Sequence, residues 1–350
     1  MNKQYLAAVW HSKGDVRPEE KRLRPLGPDE LLMKVKAAGI CGTDLHLING
    51  EYPGCIPPVV PGHEFAGVIE AAGDESNNWL IGKRVGGDSY LGCGACVYCL
   101  QEERQLCRRG VRELGVHLDG GWAEYLILPK ENIYLLPDGI SLEEAGSGCI
   151  LNCSMAAVEK VGVHAGDFVL IIGDGPSSLV MLQLARLKGA TTVVVAGHRD
   201  KRLKLAVQLG ADEAIDTREH DVSAILDKYA KEPDVVIDAV GKSETLNLAF
   251  KLVRKKGRIH LFGLPSKPLD GLSMEAFIFK EMTLTSSTGH PALWRSVTDY
   301  ISKGLLQVKP LITHRFTLSE IEYALDFIRQ NPNDMIKAIL VDDVTRNSDE

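Results

Sequence analysis

The chain has 350 residues, 45% of them hydrophobic and 25% charged, and 40 Lys and Arg against 47 Asp and Glu give a net charge of −7. This composition is that of a globular chain able to bury a sizeable core in two domains, and it excludes collagen-like, low-complexity and disordered classes. The negative balance gives no general attraction to phosphate backbones or anionic surfaces, so no nucleic acid and no membrane is expected as a partner; without a signal-type apolar start or a span of about 18 apolar residues, the expected address is cytoplasmic.

In chain order, the first 150 residues are rich in Gly and Pro, with alternating segments at 30–36 and 123–128 separated by turn signals such as Pro61-Gly62 and Pro137-Asp138-Gly139. This pattern predicts a β-rich domain. From about Ala156 the texture changes to strand-helix alternation: strands at 168–172, 192–196, 235–239 and 258–262, helices at 179–187, 201–209 and 246–253. That alternation predicts a doubly wound parallel sheet covered by helices, an α/β class overall. An amphipathic helix at 318–329 and a strand at 337–341 close the chain, and the polar residues after Asp342 read as a frayed end. The expected division is 1–153 with 291–350 returning to it, and 154–290 as a nucleotide-binding unit.

Eight cysteines in a large chain without an export signal are read as chemistry rather than as disulfides. Cys93, Cys96, Cys99 and Cys107 follow C-x2-C-x2-C-x7-C in a polar, Gly-rich stretch. One short lobe can then wrap an ion with four thiolates, and because every ligand comes from protein the predicted zinc site is structural. An iron–sulfur cluster would use the same donors.

A second constellation joins Cys41-Gly42-Thr43-Asp44-Leu45-His46 to Pro61-Gly62-His63-Glu64, with Cys149 and Cys153 much later in the chain. A thiolate, an imidazole and a third thiolate or carboxylate leave one tetrahedral position open, as a catalytic zinc requires. Singly, His63 reads as a half-buried hydrogen-bonded histidine and Cys149 as a core residue. Cys55, His290 and His314 receive no role.

Gly173-Asp174-Gly175-Pro176-Ser177-Ser178 follows one strand and opens a helix, the setting of a dinucleotide motif whose third glycine has become Ser178. After the next strand comes Gly197-His198-Arg199-Asp200-Lys201-Arg202. Gly197 supplies no carboxylate to repel a 2′-phosphate and Arg199 can pair with one, with Arg202 close by, so NADP is expected over NAD; Asp200 is the alternative acceptor if NAD is used. Asp238, Gly241 and Gly263 end later strands, and Gly263 is expected at the nicotinamide end.

Together these motifs resemble the zinc-dependent medium-chain alcohol dehydrogenase family, of threonine and sorbitol dehydrogenase type, across essentially the whole chain. The resemblance implies a GroES-like β-rich catalytic domain, a Rossmann domain, two zinc ions per chain and a homodimer or homotetramer. It implies Cys41 and His63 as ligands of the catalytic zinc, Cys149 as the third, and Glu64 as a carboxylate that exchanges onto the metal. It implies Asp44 as the group that orients His63, and Thr43 and His46 as the proton relay. Cys153 stands where the family often has a threonine against the nicotinamide.

An alcohol hydroxyl has a pKa near that of water, about 16, so its ionisation at neutral pH needs a Lewis acid and a path for the proton. The resemblance implies hydride transfer between a polar secondary alcohol, such as a polyol, amino alcohol or cyclitol, and NADP or NAD, giving the ketone. The alternatives are a zinc-independent quinone or enone reductase of the same superfamily and a non-catalytic cofactor-sensing protein.

Overall fold

The computed structural model describes residues 3–342 apart from Pro53 and Ser266; the tail expected to fray lies outside the described residues. The chain forms two compact units. One comprises residues up to 149 with 290–304 and 308 onward, the other 150–289 with 305–307.

The first unit is built on a seven-stranded sheet in the order Ile312–Phe316, Lys337–Val341, Glu30–Ile40, Phe65–Ala72, Arg84–Gly87 and Ile133–Leu135, with Tyr125–Pro129 also pairing on Glu30–Ile40. The long strand Glu30–Ile40 is its spine: eight of its eleven residues are buried, including consecutive ones, as for a strand covered on both faces. The chain's last strand lies antiparallel to it, with Ala338 opposite Ile40 and Val341 opposite Ala37. A hairpin, Gln4–Ser12 with Asp15–Arg22, adds Trp10 and Val16 to a core that also holds Phe65, Trp122 and Leu325. Each such aliphatic or aromatic side chain contributes about 1.5–3 kcal/mol on burial.

The second unit is a six-stranded, all-parallel sheet in the order Glu213–Asp216, Thr192–Gly197, Phe168–Ile172, Val235–Asp238, Arg258–Leu261, Thr283–Ser286. In sequence rank this is 3-2-1-4-5-6, the dinucleotide-binding order whose switch point lies beside the first strand. The wholly buried runs Phe168–Ile172 and Val235–Asp238 explain why continuous apolar segments marked these strands. Two strands of this sheet escaped the sequence reading. Glu213–Asp216 is short and charged at both ends, and Thr283–Ser286 is a polar edge strand.

Candidate metal and cofactor sites

Helix Gly42–Ile48 begins directly after the spine strand, with Cys41 at its N-cap in extended conformation. The backbone N–H of Cys41 donates to Asp44 Oδ2 at 2.8 Å, and the other carboxylate oxygen of Asp44 lies 3.1 Å from His63 Nδ1. Both side chains are buried. Asp44 thus fixes the imidazole through Nδ1 and leaves Nε2 as the outward nitrogen. Burial opposes charge on His63, but Asp44 and Cys41 outweigh it and hold the ring well above the ordinary histidine range.

Cys41, His63, Glu64 and Cys149 each bring one ligand atom to a common point, all within 4.8 Å of one another. Cys149 enters on helix Gly148–Val161. Contact with Cys149 is the main cause that draws the Cys41 thiol well below its usual range, with His63 and Lys337 adding to it against burial. A thiolate-prone cysteine, an oriented imidazole, a second thiol and a carboxylate form a borderline-soft donor set that fits zinc.

The fourth member has a partner that the sequence did not reveal. Glu64 is fully buried, and its Oε2 lies 2.6 Å from Lys337 Nζ, which is itself 2% exposed and also donates to the carbonyl of Ile40 at 3.1 Å. Its Oε1 has no hydrogen-bond partner among the described residues. Burial pushes the Glu64 carboxyl up to about 7 even against the attraction of Lys337. A lysine at the head of the otherwise apolar strand Lys337–Val341 is the signal that could have exposed this pair.

Thr43 Oγ1 stands 3.9 Å from Cys41 Sγ. His46, one turn later, is half-exposed and meets Glu51 at 2.7 Å. Cys153 lies one turn beyond Cys149 on the same helix face. His290 and His314 lie elsewhere, against Glu103 and against Phe316 and Phe327.

The sulfurs of Cys93, Cys96, Cys99 and Cys107 also converge within 4.8 Å. Backbone N–H groups of Arg108 and Cys99 draw Cys96 down to about 6, whereas burial and the neighbouring sulfur push Cys99 up to about 11. Four thiols crowded together resist ionising as a set, and a divalent cation removes that conflict. Arg104 ties the lobe to the sheet through the carbonyl of Glu131 at 2.8 Å and Asp88 at 3.4 Å.

In the second unit Gly173 turns at φ +116° and donates to Ala196 O, Gly175 caps helix Pro176–Leu187, and a side chain at 175 would meet open space. Ser178, in the third-glycine position, is wholly buried against the strand-helix packing. Gly241 and Gly263 approach so closely that a Cβ on 263 would lie 2.3 Å from the carbonyl carbon of Val240. Arg199 and Arg202 both face Asp174. Asp238 accepts from the N–H groups of Val240 and Gly241 and serves the turn. Asp200 pairs with Arg218.

Two family models match this chain: the alcohol dehydrogenase GroES-like domain over residues 27–138 and the zinc-binding dehydrogenase domain over 178–303. A sorbitol dehydrogenase of Halalkalibacterium halodurans is 33% identical over 344 residues, 96% of this chain and 98% of that one. The chain belongs to the zinc-dependent medium-chain alcohol dehydrogenase family. This dehydrogenase is an NAD(P)-dependent oxidoreductase, and the zinc-free and non-catalytic alternatives are not favoured. An alcohol dehydrogenase structure from Escherichia coli CFT073 in complex with NADH superposes on it with a TM-score of 0.91 at 28% identity, covering 97% of this chain and 99% of that one. A protein from Sinorhizobium meliloti 1021 bound to NADP gives 0.88 at 31% identity, covering 97% and 100%. No helix of the dehydrogenase is long and apolar enough to cross a membrane among the described residues.

Proposed function

We propose that this dehydrogenase transfers hydride between a polar secondary alcohol, of polyol, amino-alcohol or cyclitol type, and NADP, giving the ketone. Two zinc ions serve each chain in this reading. Cys41, His63 and Cys149 hold one, with Glu64 as the exchangeable fourth donor, and Cys93, Cys96, Cys99 and Cys107 hold the other. The observation that carries the reading is the meeting of three N and S donors with a carboxylate that is itself gripped by Lys337. Three permanent ligands would leave the fourth position to Glu64 or, when its carboxylate withdraws, to substrate oxygen.

When bound, zinc supplies Lewis acidity toward the substrate oxygen and the nicotinamide supplies the hydride acceptor. Thr43, beside Cys41, would accept the substrate's hydroxyl proton while giving up its own toward His46, and half-exposed His46, with Glu51 steadying its ring, would release a proton to water. Asp44 holds His63 in one tautomer throughout. On the cofactor side, the backbone of Gly173, Gly175, Pro176, Ser177 and Ser178 cradles pyrophosphate at a helix N-terminus, Gly197, His198, Arg199 and Arg202 receive the adenosine ribose, and Gly263 and Cys153 flank the nicotinamide.

The division of labour follows 1–153 with 291–350 as catalytic domain and 154–290 as cofactor domain. The open edge strand Thr283–Ser286, with Leu284 41% exposed, supports a homodimer or homotetramer, and cysteines gathered as metal donors rather than joined in disulfides support a cytoplasmic setting.

The test combines zinc quantification with NADP reduction across sorbitol, threonine, inositol and ethanol. Wild type should hold two zinc ions per chain and favour one of the polar alcohols. Cys41→Ser should hold one and lose turnover, and Cys96→Ser should hold one by losing the other. An unchanged count in Cys41→Ser overturns the assignment.

A further inference from the structure

The acid inside the glycine turn, Asp174, is an unusual tenant: it is 2% exposed, in a loop whose other members are small. Its Oδ2 accepts the backbone N–H groups of His198 and Arg199, each at 2.7 Å, and its Oδ1 accepts Arg199 Nη1 at 2.9 Å with Arg202 Nη1 at 3.7 Å. One carboxylate therefore pins the turn after strand Thr192–Gly197 to the turn after its neighbour Phe168–Ile172. These are the two strand ends that meet an adenosine ribose in a parallel dinucleotide fold.

The same carboxylate claims the space at residue 197. A Cβ there would lie 2.4 Å from Asp174 Cβ and 2.6 Å from its Oδ2. No ribose-binding acid can stand at 197 while Asp174 is in place, and Asp174 cannot serve as that acid itself, because both of its oxygens are turned onto the loop. Two guanidinium groups, those of Arg199 and Arg202, face this one carboxylate. Arg199 is held by one arm of its fork, its side chain is a quarter exposed, and its Nε has no partner among the described residues.

We propose that Asp174 is a positioning residue for cofactor selection: it excludes an acid from position 197 and presents Arg199 in one fixed orientation to a 2′-phosphate on the adenosine ribose. This rests on the NADP reading above. A guanidinium already held by a buried carboxylate loses little side-chain freedom when a phosphate arrives, so the selectivity comes from orientation as much as from charge.

Dissociation constants of NADPH and NADH, read by nucleotide fluorescence on zinc-loaded protein, test it. Wild type binds NADPH more tightly than NADH. Arg199→Ala and Asp174→Asn each weaken NADPH about tenfold or more while NADH moves less than about twofold, the size of one charge-assisted contact. Arg199→Lys, which keeps the charge but not the fork that Asp174 grips, falls with Arg199→Ala; this arm stands even where Asp174→Asn does not fold. A wild type that prefers NADH overturns the cofactor reading and the proposal with it. A wild type that prefers NADPH, with Arg199→Lys unchanged or with Asp174→Asn weakening both nucleotides alike, overturns the role of Asp174 alone.

Discussion

Lys337→Met removes the cation from a pair that has no access to water and leaves most of the side-chain volume. At 2.6 Å, with an effective dielectric of about 20, the attraction between Lys337 and Glu64 is roughly 6 kcal/mol, much of it offset by the desolvation of both groups. Without the cation the Glu64 carboxyl, already pushed to about 7, takes up a proton rather than staying charged, so the loss falls below most of the range for a broken buried pair, about 2–3 kcal/mol, part of it from the carbonyl of Ile40 losing its donor. The apparent melting temperature of the first unit should fall by roughly 4–12 °C. All four tryptophans, Trp10, Trp79, Trp122 and Trp294, belong to that unit, so urea or thermal unfolding followed by tryptophan fluorescence reads the right part of the molecule. Adding Glu64→Gln should recover at least half of the loss, since a neutral amide no longer needs the cation. A double-mutant cycle with no coupling, or a single-variant loss under about 1 kcal/mol, would show that the pair is not what holds Glu64.

Two further perturbations follow from buried groups. His260 is wholly buried between Thr285 and Ser287, and burial, with Lys160 adding to it, pushes its ring down to about 4. The unfolded chain therefore binds a proton that the folded chain refuses between pH 6.5 and about 4, so stability is complete above 6.5 and drops as pH falls, by roughly 3 kcal/mol at pH 4. His260→Gln should flatten that limb of the stability profile, and parallel profiles would refute a neutral buried ring. Gly62 turns at φ +93°, and a Cβ there would lie 2.2 Å from Trp122 Cδ1. Gly62→Ala should cost about 2–5 kcal/mol in chemical unfolding by strain and overpacking, and a value within 1 kcal/mol of wild type would mean that Trp122 yields freely.

How much of this was legible depends on whether the signal was local. Strands Phe168–Ile172 and Lys337–Val341 have the limits that their apolar runs predict, and the cysteine lobe is written within fifteen residues of sequence. Cys41, His63 and Cys149 are far apart in the chain, so their convergence was readable only through a family pattern, never through periodicity. The hairpin strand Asp15–Arg22 was missed because its alternation is almost entirely polar. Lys337 and Asp174 stayed hidden for a deeper reason: a buried charge looks like a solvated one until its partner is known, and each partner, Glu64 or Arg199, is reached only through strand pairing.

That pairing puts chemistry into the register of the closing strand. With Ala338 opposite Ile40, Lys337 falls beside the end of the spine strand, next to Cys41. A slip of one residue would turn its side chain to the opposite face and leave Glu64 without a cation. The spine contributes from the other side: a Cβ on Gly39 would lie 1.7 Å from Glu64 Oε2, so the carboxylate occupies room that exists only because residue 39 has no side chain. Trp122 Nε1 donates to the carbonyl of the same glycine at 3.0 Å and keeps the strand from shifting away. Glu64 is thus confined by a missing methyl, a lysine delivered by register and an indole brace. None of the three is one of the converging donors, yet together they decide how far its carboxylate stands from Cys41, His63 and Cys149.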